Sequence, residues 1–410
     1  MNYKNNITMA AGIMFILGFL FLSSLILSTG CWDKREPDLL AIVDAVAFDF
    51  IEDKNLFRVI VEVANPLAGG DEGNGGGGGT QSKWVVEGNG HTISQAVRDM
   101  EILTTRQLHF SHVRVVLFSE EMARRGITPV LDFIDRDRES RMVTIPFVVR
   151  GDVRKLIEAG FPMEDLGGGA MAKQYSVIRM ERNVVPEIDS VRMLVLTLSI
   201  PGRELVLPLA EFIEEASEDE ENEKTQVGAQ NPVKIAGAAV FRGEKLIGFL
   251  DDRETAGYMW ITGNVRQGTI VIKCPGNEED LLTVEVFETR SRLEPVFREN
   301  EVRFKLFIRA EGRIQDFYCD EFPLREEFIS SLNSRLGTVI RNEITVSLEK
   351  ARELEVDIFG LGNVIYRTKN NEWKGLDDRW EKIFPTVMVD MEIETFIRRH
   401  GLILGPIKIR

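Results

Sequence analysis

Arg325–Leu354 reads REEFISSLNSRLGTVIRNEITVSLEKAREL, and its spacing settles how the second half of the chain is built. Phe328, Leu332, Leu336, Ile340, Ile344, Leu348 and Ala351 recur mostly at every fourth position, so on a helix they fall on one apolar stripe. Such a stripe needs an apolar surface to lie on. The preceding segments Gly268–Lys273, Leu281–Glu288, Ser291–Val296, Glu301–Ala310 and Arg313–Tyr318 mostly alternate apolar and polar residues, the pattern of an antiparallel sheet with one wet face. The spacing predicts a long helix packed on that sheet, and with it the α+β class.

Working outward from the helix, Arg242-Gly243-Glu244 between Val233–Phe241 and Lys245–Leu250 signals a hairpin, and Asp252–Trp260 reads as a helix. A helix around Trp373–Phe384 and a strand over Thr386–Ile397 close the chain. Upstream, the apolar runs Leu39–Asp49 and Phe57–Ala64 bracket a polar turn, and Ser82–Glu87 reads as a third strand. Thr92 with Gln95 three residues on is a capping-box pattern for a helix. A strand at His112–Phe118, helices beginning at Ser119 and running through Val130–Ile134, a strand at Val143–Val149 and a helix at Asp152–Glu158 follow. This alternation makes the first domain mixed α/β.

Residues 160–230 read as a glycine loop at Gly167–Gly169, a helix over Ala170–Glu181 and a strand pair, Met193–Ser199 with Glu204–Leu209. The acidic run Glu214–Glu223 has no apolar anchor and reads as a solvated linker. Three mixed α/β domains are therefore expected. They are residues 31–158, a small middle domain at 159–230, and a C-terminal sheet-plus-long-helix domain at 231–410.

Residues 1–30 carry one charge, Lys4, then an apolar core, then small residues, which is the layout of a secretion signal. Leu27-Ser28-Thr29-Gly30-Cys31 resembles the lipobox of bacterial lipoproteins, with Ser28 where leucine is usual, and makes Cys31 the expected lipidation site. An uncleaved membrane anchor is the second reading, and either one puts the rest of the chain outside the cytoplasm, held at a membrane. Removing residues 1–30 takes the formal charge from −15 to −16, which argues against nucleic acid or anionic lipid as a general electrostatic partner. The remaining cysteines, Cys274 and Cys319, each follow a strand-like run; in an oxidising compartment they either pair as one disulfide or stay as two buried thiols.

Chemistry is sparse. The glycine-rich stretch Gly69–Gly79 lacks the Gly-Lys-Ser/Thr end of a phosphate loop and reads as a flexible loop. His109 and His112 on a strand point to opposite faces and favour packing over a shared metal ion. Asp132, Asp135, Asp137 and Glu139 interleave with Arg136, Arg138 and Arg141 as a solvated face. No Gly-x-Ser-x-Gly or His-Glu-x-x-His is present, so no catalytic residue, cofactor site or metal site is assigned.

Several blocks, in order, resemble the Ger(x)C family, the C-subunit lipoproteins of spore nutrient germinant receptors. They are Cys31–Glu36, His112–Ile127, Leu131–Asp137, Gly237–Gly248 and the late glycine turn Asp357-Ile358-Phe359-Gly360-Leu361-Gly362. The resemblance implies a non-enzymatic subunit, lipid-anchored through Cys31 on the outer face of the inner spore membrane. It also implies assembly with two integral membrane subunits of A and B type, and clustering with other germinant receptors. The competing classes are an extracytoplasmic solute-binding lipoprotein of a transporter and a cell-wall hydrolase. A solute-binding protein predicts two similar lobes about a hinge.

Overall fold

The computed structural model describes residues 14–19, 23, 39–65, 82–137, 139–161, 163–213, 232–298, 301–319 and 326–398. Cys31, the Gly69–Gly79 loop and the acidic run Glu214–Glu223 lie outside the described residues. Among those described, the chain is mixed α+β with two sheets.

The first sheet is built from β1 (Leu40–Ile51), β2 (Leu56–Ala64), β3 (Lys83–Gly90), β4 (Gln107–His109), β5 (Val115–Ser119), β6 (Ile145–Arg150), β7 (Val206–Phe212), β8 (Val233–Arg242) and β9 (Lys245–Leu250). Its order is β3-β2-β1-β5-β6-β7-β8-β9, with β4 beside the start of β1. The centre, β1-β5-β6-β7, is parallel and both margins are antiparallel. Val115–Ser119 is buried throughout, as a parallel strand covered on both faces must be.

Six helices cover the two faces: α1 (Ile93–Leu103), α2 (Glu120–Arg125), α3 (Thr128–Arg136), α4 (Val153–Glu158), α5 (Gly167–Glu181) and α6 (Val191–Leu198). Ala41, Val43, Val46, Phe48 and Phe50 of β1 join the core formed with α1, α2, α3 and α6, while Ala45 and Ala47 face α4 and α5. The switch from odd to even positions is a register shift between Val43 and Ala45. Such a bulge holds both halves of β1 on one apolar face and takes Asp44 out of the ladder.

The second sheet, in order β10 (Gly268–Lys273), β11 (Leu281–Arg298), β12 (Glu301–Phe317) and β13 (Met388–Arg398), is packed by α7 (Asp252–Thr262) and the long α8 (Glu326–Glu353). All seven stripe residues of α8 are buried in this core, and Trp260 Nε1 of α7 donates to Glu343 of α8 at 2.8 Å. Short helices α9 (Leu361–Thr368), α10 (Asn370–Trp373) and α11 (Trp380–Ile383) lead into β13.

Several expectations change in detail. The expected strand Met193–Ser199 is instead the body and C-cap of helix α6: Ser190 accepts the Met193 N–H at 3.2 Å and caps its start. Four expected strands are two long ones, because Thr289 and Arg290, between the first two, pair with Ala310 and Arg309, and Glu311 and Gly312, between the last two, pair with Glu288 and Val286. The last strand, β13, runs parallel to β12, so the late sheet is antiparallel only over β10-β11-β12. Gly167–Gly169 is the first turn of α5 and not a loop. The first sheet also runs unbroken across the expected boundaries at 158/159 and 230/231, with β7 bonded to β6 on one side and β8 on the other.

Candidate functional site

Three buried carboxylates hold the parts of the molecule that sequence composition leaves weakest. Asp44 sits at the β1 bulge, and Glu62 lies on β2 opposite Ala45. Glu62 accepts the Gly167 and Gly168 N–H groups at 2.9 Å each, and Asp44 accepts Gly169 N–H at 2.7 Å. A helix start offers unpaired N–H donors and a partial positive charge, so two carboxylates there stabilise a first turn made of three glycines. Lys83 Nζ stands 3.0 Å from Glu62 and Arg114 Nε 3.2 Å from Asp44. Burial pushes the Asp44 carboxyl up, with Arg114 and the Gly169 N–H pulling against it. A Cβ at Gly168 would lie 2.5 Å from the Asp44 carbonyl oxygen, which is why this turn tolerates no side chain there.

The third carboxylate, Asp357, organises the junction of the two halves. Its oxygens accept Gly360 N–H (2.9 Å), Leu361 N–H (3.0 Å), Gly362 N–H (2.7 Å) and Trp380 Nε1–H (2.9 Å). It therefore caps α9 and fixes Trp380, whose ring meets Trp373 edge-on at 5.6 Å. Burial raises its pKa to about 6, opposed by those four donors. Around it, Glu204 N–H donates to the Asp357 carbonyl at 3.0 Å, Asn363 N–H to the Gly202 carbonyl at 2.9 Å, and Asn363 Nδ2 to the Pro201 carbonyl at 3.2 Å. Gly202 has φ of 66° and stands against Gly362 and Trp373, so a side chain there would be strained and obstructed. The cavity at this clasp is about 30 Å³, room for about one water and not for a nutrient.

A larger open cleft of about 540 Å³ lies where the β11–β12 hairpin meets the segment 376–388, lined by Phe297, Arg303, Leu376, Arg379 and Met388 among others. Among the described residues that line it there is no pair of facing carboxylates and no base beside a nucleophile.

The residues singled out in the sequence lie apart from these sites. Cys274 and Cys319 meet as a disulfide, with Cα atoms 5.6 Å apart, joining the end of β10 to the residues after β12. His109 Nδ1 lies 3.0 Å from Glu139 Oε2, and Phe110–His112 is a 3-10 turn that sets the His109 and His112 rings 6.0 Å apart, instead of on opposite faces of a strand. Among the described residues no three His, Cys, Asp or Glu side chains converge as a metal site. Asp132 and Arg136 form an exposed pair at 2.9 Å along α3. Sequence reasoning missed Asp44, Glu62 and Asp357. The available signal was an acid inside each apolar run, together with glycines that need an anion at their N–H groups: Gly167–Gly169 far along the chain for Asp44 and Glu62, and Gly360 and Gly362 close by for Asp357.

Comparison with known proteins places this architecture. Residues 33–212 match the family described as "Spore germination protein N-terminal domain", and residues 236–401 match "Spore germination B3/ GerAC like, C-terminal". The chain is 29% identical over 403 residues to spore germination protein KC of Bacillus subtilis, covering 96% of this chain and 97% of that one. It is 21% identical to spore germination protein B3 of the same organism, over 91% of this chain and 95% of that one. The crystal structure of the GerBC protein superposes with a TM-score of 0.54 at 17% identity, over 86% of this chain and 96% of that one, a likeness of fold. With both halves matched in order by the family's two domains, the chain belongs to the Ger(x)C family of spore germination proteins.

Proposed function

We propose that this chain is the lipid-anchored, non-catalytic C-type subunit of a nutrient germinant receptor, held by Cys31 on the outer face of the inner spore membrane beside two integral membrane subunits of A and B type. The observation that carries the reading is the match of both family domains, in order, to residues 33–212 and 236–401, starting two residues after Cys31. The physical logic is confinement: one acyl chain binds a bilayer only marginally and two bind stably, so a diacylated cysteine keeps the folded domains at the effective concentration of membrane partners. The clasp around Asp357 supports a rigid body over a hinged pair of lobes, because Glu204 N–H donates to the Asp357 carbonyl and Asn363 N–H to the Gly202 carbonyl, joining the halves backbone to backbone. That weighs against the solute-binding class, whose lobes must move. Clustering with other receptors belongs to the same proposal. The test is germination of spores lacking this chain across single amino acids and sugars: loss of response to a defined subset of nutrients, restored by the gene, supports the reading, and unchanged responses to all of them reject it.

A further inference from the structure

Every strand of the parallel centre begins at one end of the first sheet, the end at which the described chain enters β1 at Leu40. Register puts Leu40 beside Gln107, so β1 and β4 start together, and sets Val115 and Ile145, where β5 and β6 start, level with Ala45, five positions further along β1. Trp84, at the start of β3, is opposite Val63, itself opposite Val43, and belongs to the same end. Helix α1 descends from the far end of β3 and returns its last residues there, four positions before β4.

This end carries six large apolar side chains that the fold leaves uncovered. Leu39 is 60% exposed, Ile42 40%, Trp84 44%, Ile102 81%, Leu103 64% and Val143 69%. They come from four separate stretches of sequence brought together by the sheet. None is needed to fill the core below them, which is closed by Val43, Met100 and Leu108. Among the described residues, exposed Glu101 and Arg141 lie two positions or fewer from these side chains in the sequence.

From these observations we infer that this end of the sheet is a membrane-contact face, seating Leu39, Ile42, Trp84, Ile102, Leu103 and Val143 in the interfacial region of a lipid bilayer. The inference rests on the lipid anchor proposed above. Cys31 precedes Leu39 by eight positions, and eight extended residues span at most about 28 Å, so no other end of the molecule is tied as closely to the acyl chains. A tryptophan among aliphatic side chains is the composition favoured at the membrane–water boundary. The anchor alone leaves the ectodomain free to tumble on its tether, whereas a seated face fixes which side of the second sheet and of α8 points away from the membrane.

The test uses the full lipidated protein in vesicles of phosphatidylethanolamine and phosphatidylglycerol, some carrying brominated acyl chains. Two variants each bear one fluorophore on an introduced cysteine: Ile102→Cys in the face, and Val271→Cys on β10 in the second sheet, 53% exposed. Flotation with the vesicles reads the anchor, and bromine quenching reads the orientation. Flotation with quenching at 102 several-fold stronger than at 271 supports the inference. So does loss of that difference on adding Leu39→Glu and Leu103→Glu, with flotation retained. Flotation with equal quenching at both positions overturns the membrane face and leaves the anchor standing. Absence of flotation overturns both. Protection of position 102 only when the integral membrane subunits are present assigns the face to a protein partner and also overturns the inference.

Discussion

Replacing Asp357 by alanine tests the reading of the clasp. The carboxylate accepts four N–H donors from inside the protein. Hydrogen bonds to a charged group contribute roughly 1.5–3 kcal/mol each, so the gross loss is about 6–12 kcal/mol if all four donors go unpaired. Two effects reduce it. The variant no longer carries a charge into the interior, and burial of that charge is what raises the pKa from 3.8 to about 6. Water entering the vacated space also pairs some donors. The expected net loss is about 3–5 kcal/mol, a large share of the stability of an ordinary domain. Urea unfolding at pH 7 reads it through tryptophan fluorescence, since Trp373 and Trp380 stand in contact at this site. A loss below about 1 kcal/mol would show that the carboxylate does not hold these donors, and would refute the account of the junction.

Asp357→Asn checks the pH dependence of the same site. The folded pKa is above the ordinary value, so the unfolded chain gives up this proton first; its contribution to stability is full below about pH 4 and falls by about 3 kcal/mol as pH rises to about 6. The parent minus Asp357→Asn difference in unfolding free energy should follow that slope, and a flat difference contradicts the burial argument. Gly168→Ala places a Cβ 2.5 Å from the Asp44 carbonyl and should cost roughly 1–3 kcal/mol by urea unfolding, while Gly160→Ala, with nothing within 4 Å, should stay within about 0.5 kcal/mol. The paired Cys274→Ser and Cys319→Ser variant opens a loop with a sequence separation of 45, worth about 4 kcal/mol on the chain-entropy scale, and thermal unfolding should fall accordingly. A melting temperature equal to the parent's under non-reducing conditions would show that the bond is not formed.

The long helix was legible because its stripe is strict: each of Phe328, Leu332, Leu336, Ile340, Ile344, Leu348 and Ala351 is buried. Local chemistry also carried the Gly243 hairpin turn, and the Thr92 cap, whose side chain accepts Gln95 N–H at 3.1 Å. Misreadings fall where a distant partner decides the outcome. Gly167–Gly169 has no local reason to be helical, and becomes so because Glu62 and Asp44, more than 100 positions earlier, supply the acceptors. Val191–Leu198 is a short apolar run whose period favours neither strand nor helix, so its identity rested on the Ser190 cap. The strands β11 and β12 were divided at residues that look like turns in isolation and are held extended by each other. Asp44, Glu62 and Asp357 went unrecognised for a related reason: an acid within an apolar run gives no local sign of whether it faces water or a buried helix start.

The most direct test of the central claim is Cys31→Ala in a strain in which loss of this chain removes a defined nutrient response, with the protein followed between membrane and soluble fractions of spores. The account predicts release of the protein from the membrane fraction and loss of the same response. Full release with that response intact would contradict it, because a receptor subunit that works unanchored needs no lipid to act.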